Sequence, residues 1–422
     1  MHTFDSEQKN AAIRTRAVAP RSPALATVLF LTVLFFLGSA PSASATSWYV
    51  SPTGSGTSCT QSAPCSLETA FTNTSIVGGD TVYIAGGVYA GGTDPCGKTG
   101  YTYVVRIGGS SSSSEITFTN VAGQTAIIEG NTRIDGLSCQ TYPGANYVTF
   151  VGTPAANGAA AWGLIFDGGT NGCSACHEGV LDVEYAHDVT ADHVEIRNSP
   201  GYAGFYQYCN SASCGYNVQL LSSYVHDNGW PSPNYRLYQG VYWDEDASTA
   251  GGNLIANCVI ENNAAAGIQL YSGTSGQPQY VTIEENTIVN NGFYGIIAYG
   301  DYNSIVNNVI ANNGLEVSGT YQVDLVGTNL TVDTNIAWCW NSTDCVSGMT
   351  GGGDVNTIKE DPKFANGQEG YQAEPQSVTN YHNYRLLSGS PAFTTQKSGY
   401  VQSTDKDGAS RASTSALGAY VY

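Results

Sequence analysis

A short motif recurs through the middle of the chain, and this repeat constrains the fold more than any other feature. Each copy opens with a glycine followed by apolar or aromatic residues, and the opening glycines are Gly179, Gly204, Gly240, Gly267 and Gly295. The steps between them are 25, 36, 27 and 28 residues. Within the copies apolar residues alternate with period two, which indicates short strands rather than helices. Such strands cannot bury a face alone, so successive copies must stack into a solenoid.

A second block of alternating residues follows each opening segment and contains recurrent asparagines. Asn286 and Asn308 take equivalent places, and so do Asn262, Asn290 and Asn312. Asparagine tolerates the left-handed backbone of turns, and stacked asparagine amides satisfy one another along a repeat axis. We therefore predict that Asn286 and Asn308 lie one above the other in a turn between parallel strands. A β-propeller is disfavoured, because its blades need about 40 residues or more.

Composition supports an all-β fold and excludes other classes of protein. The chain has 422 residues, of which 50 are Gly, 28 are Tyr and 41% are hydrophobic. This composition favours strands, tight turns and a large core over disorder. Only 12% of the residues are charged, which is too few for a coiled coil. The formal net charge is −19, and we expect no nucleic-acid partner, because phosphate binding needs a basic face.

Residues 1–45 have the pattern of a secretory signal peptide. Arg14, Arg16 and Arg21 precede an apolar run over residues 25–37, and small residues follow up to Ala45. A basic start, a short apolar middle and an A-x-A end are typical of such peptides. A membrane anchor is less favoured, because a bilayer span needs about 20 residues. We predict a secreted protein, extracellular or periplasmic, with no membrane segment in its mature form, and we expect a monomer.

Ten of the eleven cysteines fall into pairs that are near in sequence. Export permits disulfide bonds, and such pairs would staple loops. A redox or zinc role for the CxxC pair is less favoured, because no second CxxC or paired histidine accompanies it. Cys258 is left over in an apolar strand pattern, where we expect a buried thiol. The predicted disulfides are Cys59–Cys65, Cys96–Cys139, Cys173–Cys176, Cys209–Cys214 and Cys339–Cys345.

The repeated pattern resembles the right-handed parallel β-helix of the pectate-lyase-like superfamily. Residues 48–55 and 79–89 resemble the N-terminal cap of secreted bacterial β-helix proteins, and residues 361–364, 384–393 and 417–420 resemble their closing segment. The resemblance implies a cap and first coils over 46–100, a β-helix over 101–340, and C-terminal coils with a packed tail over 341–422. The superfamily includes lyases, hydrolases, epimerases, esterases and non-enzymatic adhesins, so function must be argued from the site.

Alternation along the strands predicts which side chains leave the core. The residue after each opening glycine points inward, which gives the column Val180, Phe205, Val241, Ile268 and Ile296. Coils about 4.8 Å apart would turn outward tyrosines into a platform on which sugar rings stack. The alternative is that these tyrosines merely suit strands. The two outward columns are Leu181, Tyr206, Tyr242, Gln269 and Ile297, and Val183, Tyr208, Asp244, Tyr271 and Tyr299.

The densest acidic spot is Asp244-Glu245-Asp246, which ends a strand just after Tyr242 and Trp243. Asp244 and Asp246 would lie about 6.6 Å apart on one face, within the roughly 6.5–9.5 Å separation of an inverting acid and base. All three acids are candidate catalytic residues, and both aromatic residues are candidate substrate contacts. A solvated turn or a Ca²⁺ site is the alternative, because clustered carboxylates suit that cation.

Further candidates surround this spot. Asp182 and Glu184 lie two coils away, and His226 lies in the other strand block, where it could carry a proton near pH 7 but is more often structural. Asp227 beside it is interpreted as a ladder residue in place of asparagine. Loops at 209–214 and 230–238 flank the acidic spot, and such loops tend to carry binding function. The second loop contains Arg236, a candidate substrate contact.

Arg197 and Arg236 are the only basic residues that we identify in the central coils. Lyases of the superfamily resembled here act on polyuronates, usually with a Lys or Arg base and often with Ca²⁺. An acidic groove would repel a polyanion unless Ca²⁺ bridged it. The polygalacturonase pattern (N-x-D, D-D, G-H-G, R-x-K) is also absent.

We therefore expect an enzyme that cleaves an extracellular polysaccharide or oligosaccharide by hydrolysis with paired carboxylates. Ca²⁺-dependent β-elimination on a polyuronate is the first alternative. A glycan-binding or surface-structural protein without catalysis is the second.

Overall fold

The computed structural model describes residues 45–97, 100–154, 162–169, 179–211, 213–229, 237–245, 251–271, 276–342, 345–366, 383–411 and 416–421. Several predicted features lie outside these residues: the signal peptide up to residue 44, the Cys173–Cys176 pair, Arg236 and Asp246, together with the Glu245 side chain.

Within the described residues the chain forms one short helix, α1 (Leu67–Thr72), and 31 strands. The strands, in chain order, are β1 Ser47–Val50, β2 Thr81–Ile84, β3 Gly87–Ala90, β4 Tyr103–Val105, β5 Ile116–Asn120, β6 Ala126–Glu129, β7 Thr132–Asp135, β8 Val148–Val151, β9 Leu164–Asp167, β10 Gly179–Glu184, β11 Val189–Asp192, β12 Glu195–Arg197, β13 Ala203–Cys209, β14 Val218–Leu221, β15 Tyr224–His226, β16 Gln239–Glu245, β17 Asn253–Ala256, β18 Val259–Glu261, β19 Ile268–Tyr271, β20 Val281–Glu284, β21 Thr287–Val289, β22 Ile296–Ala298, β23 Ser304–Val306, β24 Val309–Ala311, β25 Thr320–Leu325, β26 Thr331–Asp333, β27 Ile336–Trp338, β28 Cys345–Thr350, β29 Asp354–Val355, β30 Phe364–Asn366 and β31 Asn383–Leu386.

Three long parallel sheets contain all of these strands except β30 and β31, which pair antiparallel. Sheet 1 has the order β1-β2-β5-β8-β11-β14-β17-β20-β23-β26-β29. Sheet 2 runs β4-β7-β10-β13-β16-β19-β22-β25-β28, and sheet 3 runs β3-β6-β9-β12-β15-β18-β21-β24-β27. From β2 to β29, consecutive strands of the chain thus lie in different sheets, and each full coil adds one strand to each sheet. The predicted parallel solenoid is confirmed.

A column of apolar side chains fills the space between the three sheets. In sheet 2 the register Phe205, Val241 and Ile268 continues the stack from coil to coil, and all three are fully buried. The helix α1 lies beside the first coils because Leu67, Ala70 and Phe71 form its apolar face. The ring of Phe71 meets Phe118 edge-on, with centroids 5.1 Å apart, so the core continues into the cap.

An asparagine ladder supports the turn between sheet 1 and sheet 3. The Asn286 amide donates to Asn308 Oδ1 at 3.0 Å, and the Asn308 amide donates to Asn335 Oδ1 at 3.0 Å. Asn286 and Asn308 therefore lie one above the other, as predicted. Cys258 takes the place before them, where its backbone N–H donates to Asn286 Oδ1 at 2.9 Å. This buried thiol thus fills a position that asparagine holds in later coils.

A second ladder supports the turn between sheet 3 and sheet 2. Asn228, Asn263, Asn291 and Asn313 hydrogen-bond in series at 2.8–2.9 Å, and the last donates to Gln322. All four are buried. The residue before each has a left-handed backbone, with φ between 51° and 56°; these residues are Asp227, Asn262, Asn290 and Asn312. Asp227 accepts from the Asn262 amide at 2.5 Å, which confirms its predicted ladder role.

The predicted inward column is wrong at its first member. Sheet 2 pairs Leu181, not Val180, with Phe205, because Gly179 lies opposite Ala203 rather than Gly204. A shift by one residue exchanges the two faces of a strand. Consequently Asp182 and Glu184 lie opposite Tyr206 and Tyr208, on the outer face where Leu181 and Val183 were expected.

The disulfide bonds predicted from spacing are confirmed wherever the structure describes both cysteines. The bonds are Cys59–Cys65, Cys96–Cys139, Cys209–Cys214 and Cys339–Cys345. Cys258 is a buried free thiol, and burial raises its pKa to about 12. Its thiolate is thus disfavoured, which makes it unreactive.

The C-terminal residues pack on the outer face of sheet 3. Val259, Val289 and Val309 point away from the core and join Tyr384 and Tyr420 in a separate apolar cluster. The Gln402 amide contacts sheet 1, where it donates to Glu284 at 2.6 Å. In the described part of the chain no helix is both long and apolar enough to cross a membrane.

Removal of one ladder amide should lower the stability of the whole solenoid. Asn291 donates to Asn313 and accepts from both the backbone N–H and the amide of Asn263. Asn291→Ala leaves buried partners unsatisfied, at about 1–3 kcal/mol each. We expect thermal or urea unfolding to show a loss of about 3 kcal/mol, with almost no loss for exposed Asn366→Ala. Equal stability of the two variants would contradict the ladder's role.

Candidate active site

The outer face of sheet 2 brings together most of the residues that the sequence analysis proposed for chemistry. Strands β7, β10, β13, β16 and β19 carry polar and aromatic side chains in two adjacent columns. One column reads Arg133, Asp182, Tyr206, Tyr242 and Gln269, and the other reads Asp135, Glu184, Tyr208, Asp244 and Tyr271. Successive members are about 4.8 Å apart, the spacing of paired strands.

Tyrosine rings stack along this face. The centroids of Tyr206 and Tyr242 are 5.6 Å apart, and those of Tyr242 and Tyr271 are 5.4 Å apart. The predicted open platform is only partly correct, because Tyr206 and Tyr242 are 8% and 6% exposed, whereas Tyr271 is 37% exposed. The rings cover one another, and Tyr202 meets Tyr242 edge-on. Tyr271 is therefore the ring of this stack best placed to meet a ligand.

Two predicted substrate contacts lie outside the tyrosine stack, one in the core and one further along sheet 2. Trp243 is fully buried in the core, so its predicted contact with substrate is wrong. Successive side chains of a strand point to opposite faces, so the residue after the outward-pointing Tyr242 must point inward. Tyr299 follows β22 and lines a separate cavity with Phe293 and Tyr294.

Three carboxylates surround the phenol of Tyr206. Asp182 Oδ1 accepts from the Gly179 backbone N–H at 2.5 Å. Glu184 accepts from the Tyr101 hydroxyl at 2.5 Å, and Asp244 lies in the column of Glu184 two strands away. Burial, followed by the charges of Asp244, Asp182 and Glu184, raises the pKa of Tyr206. The phenol consequently stays protonated and can donate a hydrogen bond among these acids.

Two arginines that the sequence analysis overlooked belong to the same face. Arg133 pairs in register with Asp182, and its guanidinium contacts Glu184 at 2.5 Å and Asp135 at 3.2 Å. Arg106 contacts the same Asp135 at 2.5 Å. Basic residues therefore do accompany the acids of this face, although both arginines precede the central coils, in which Arg197 and Arg236 were identified. The available signal was Thr132-Arg133-Ile134-Asp135, which alternates like the later strands but lies before the first opening glycine.

His226 lies on sheet 3, on a different face from Asp244. It is 2% exposed, its Nδ1 is 2.8 Å from Asp227, and its Nε2 is 3.3 Å from Glu195. Burial lowers its pKa but both carboxylates raise it, with a net rise to about 9. The ring is thus charged at neutral pH and held in an ion-pair network. A proton carrier needs a pKa near the working pH and access to substrate, and His226 has neither.

The Ca²⁺ site weighed at Asp244-Glu245-Asp246 lies in part outside the described residues, because these exclude Asp246 and the Glu245 side chain. Among the described residues, no three Asp, Glu, His or Cys side chains come together as metal ligands would. The oxygens of Asp182 and Glu184 accept hydrogen bonds from Gly179, Tyr101 and Arg133, whereas Ca²⁺ needs six to eight oxygen ligands directed at it. This donor set does not fit the cation.

Comparison with known proteins supports the fold. Residues 107–336 and 239–386 match the family described as "Right handed beta helix region". No curated protein matches the sequence significantly. The structure is similar to pectate lyase Pel9A, with a TM-score of 0.50 and 14% identity over 89% of this chain and 96% of that one. It is also similar to alginate lyase from Paenibacillus sp. str. FPU-7, with a TM-score of 0.50 and 15% identity over 74% of this chain and 95% of that one.

Replacement of His226 should affect stability rather than chemistry. The folded-state pKa of about 9 exceeds the ordinary value of 6.5, so the charged ring stabilises the fold fully below pH 6.5. That contribution is lost as the pH rises through about 9. We expect His226→Gln to unfold more easily by about 3 kcal/mol at pH 6, with the difference from wild type shrinking by pH 10 in urea titrations. A pH-independent difference would show that the ion pairs do not hold the ring charged.

Proposed function

Because the chain belongs to the right-handed β-helix family, we propose that the outer face of sheet 2 binds and cleaves a polysaccharide. The observation that carries this proposal is the register of sheet 2. It aligns Glu184, Tyr208, Asp244 and Tyr271 in one column, beside the column of Tyr206 and Tyr242. Aromatic rings offer sugars a stacking surface, and paired carboxylates supply proton transfer. The four described disulfides support export to an oxidising compartment.

Hydrolysis by paired carboxylates is the reaction that this arrangement favours. Glu184 and Asp244 are two strands apart, so their backbones are about 9.6 Å apart. This spacing is just above the roughly 6.5–9.5 Å that separates the carboxyl groups of an inverting pair. Arg133 and Tyr101 hold Glu184 in place. Asp244 is half-buried and pairs in register with the exposed Tyr271. A sugar on Tyr271 would therefore lie next to the Asp244 carboxylate.

The charge of the face favours a substrate without carboxylates. Asp135, Asp182, Glu184 and Asp244 outnumber the two arginines, and the arginines already contact Asp135 and Glu184. An anionic glycan would have to displace these partners. Because like charges repel in a partly buried site, a polyuronate would bind less favourably than a neutral or cationic glycan.

Elimination on a polyuronate is the second candidate. It is favoured by the position of Arg133 on the outer face of sheet 2 and by the names of the two similar structures, a pectate lyase and an alginate lyase. Arg133 could release its carboxylate partner and pair with the uronate group of the substrate. It would then stabilise the negative charge that builds up on that group during elimination. The phenol of Tyr101, 3.0 Å from Arg133, would then lie beside the sugar.

One assay separates these functions. The secreted protein is incubated with neutral, amino-sugar and uronate polysaccharides, and new reducing ends are measured together with the ultraviolet absorbance of unsaturated uronic acid ends. Reducing ends without that absorbance support hydrolysis, and reducing ends with it support elimination. Binding without new ends on any substrate would contradict an enzyme and favour a glycan-binding protein.

Asp244→Asn should abolish turnover while leaving substrate binding intact. The change keeps the side-chain shape but removes the proton-transferring carboxylate, which typically contributes a factor of about 10²–10⁴. The measurement is kcat on the substrate that the assay identifies, together with the Kd from calorimetry. Exposed Asp354→Asn on sheet 1 is the matched control. Full activity of Asp244→Asn would indicate that Asp182 or Glu184, rather than Asp244, transfers the proton.

Tyr271→Ala should weaken binding and leave kcat nearly unchanged. Loss of one stacking ring costs about 1 kcal/mol, which corresponds to about a fivefold rise in Kd. Tyr302→Ala is the control, because Tyr302 is also exposed and stacks on Tyr280 at 5.3 Å, outside this face. Equal affinity of Tyr271→Ala and wild type would leave the stack as a structural feature only.

A further inference from the structure

A cavity of about 300 Å³ opens on sheet 2 beyond the tyrosine stack. Its walls include Phe293, Tyr294 and Tyr299, and Asp324 and Gln269 contribute polar groups. Gln269, Ile297 and Asp324 continue the register column of Tyr206 and Tyr242. The cavity thus lies on the same face as Asp244, and Asp324 is three strands away from it, about 14 Å along the stack.

The carboxylate of Asp324 is unusual in its surroundings. It is half-buried among aromatic rings, and within the described residues no hydrogen bond or ion pair to it is formed. Burial raises the pKa of Asp324. Burial, followed by the charge of Asp324, raises the pKa of Tyr294. A partly desolvated carboxylate without a counterion gains most from a cation, because the cation restores the stabilisation that water would give.

The walls of the cavity favour a cation as well. The faces of Phe and Tyr rings attract ammonium groups within about 6 Å of their centroids. Phe293 and Tyr294 pack edge to face with centroids 4.4 Å apart, so they form one rigid corner of the cavity. The chain as a whole has a net charge of −19, which attracts cationic ligands over longer distances. The volume of about 300 Å³ is at the lower end of small-ligand pockets, enough for one sugar unit.

We propose that this cavity binds an amino-sugar unit with a free ammonium group, so that the substrate is a glycan containing deacetylated hexosamine. The inference rests on the proposed function, since it assigns the substrate class of the same face. The ammonium group would pair with Asp324, and the sugar ring would pack on Tyr294 and Tyr299. The chain would then run across Tyr271 towards Asp244, with successive sugar units matching successive coils.

A pair of ligands that differ only in charge tests this proposal. Chitosan oligosaccharides carry free amines, and their fully N-acetylated counterparts do not. Calorimetry on wild-type protein should show tighter binding of the chitosan oligosaccharide. Asp324→Asn should weaken that binding about tenfold and leave the binding of the acetylated counterpart unchanged, whereas Asp354→Asn should change neither.

Two other results of the binding measurement overturn the inference. Equal losses for both ligands would mean that Asp324 binds sugar hydroxyls without regard to charge, and no loss for either would mean that the cavity takes no sugar. Failure of the proposed function can be distinguished from failure of this inference, because cleavage is measured by new reducing ends and the inference by calorimetry. Cleavage of neutral or uronate glycans without preference for free amines would overturn the amino-sugar inference alone. Selective amine binding without cleavage of any glycan would overturn the proposed enzyme alone.

Discussion

The buried turns of each coil are the constraint on which the rest of the structure depends. A chain that changes sheet every few residues places backbone N–H groups inside the molecule, where an unsatisfied donor costs about 1–3 kcal/mol. Asn228, Asn263, Asn291 and Asn313 meet this demand by accepting from one coil and donating to the next. The same ladder fixes the register of sheet 2, and register decides which side chains leave the core.

Features that follow from the hydrogen bonding of the buried turns could be predicted from the sequence. The spacing of glycines and asparagines predicted the parallel coils, the stacking of Asn286 on Asn308 and the role of Asp227, because each depends only on local periodicity. The first repeat was misaligned by one residue because Gly204 lies at the second position of its strand, after Ala203. Because side chains alternate along a strand, this shift of one residue decided whether Asp182 and Glu184 were assigned to the core or to the outer face with the tyrosines.

Features that depend on distant parts of the chain could not be predicted. Arg133 and Arg106 reach the acidic face from coils that precede the visible repeat, so no repeat offset pointed to them. His226 was a candidate because its position in the sequence gave no sign of burial. Its ring stacks on Tyr224 with centroids 3.9 Å apart, and Tyr224 and Val259 pack against Tyr384 and Tyr420, far along the chain. The C-terminal cluster thus covers the outer face of sheet 3 from β15 to β27.

The geometry of a solenoid also determines how such a face can select a polymer. Because strands repeat every 4.8 Å or so, each coil can contact a separate part of an extended glycan, and charge can differ from coil to coil. Near Tyr101 the arginines balance Asp135 and Glu184, around Asp244 the tyrosines dominate, and at Asp324 a carboxylate has no cation beside it among the described residues. A uniform polyanion would be repelled by Asp324, whereas a glycan that carries amines could pair an ammonium group with this carboxylate. Selection of the substrate therefore need not come from the catalytic carboxylates, which leaves them free to be spaced for proton transfer.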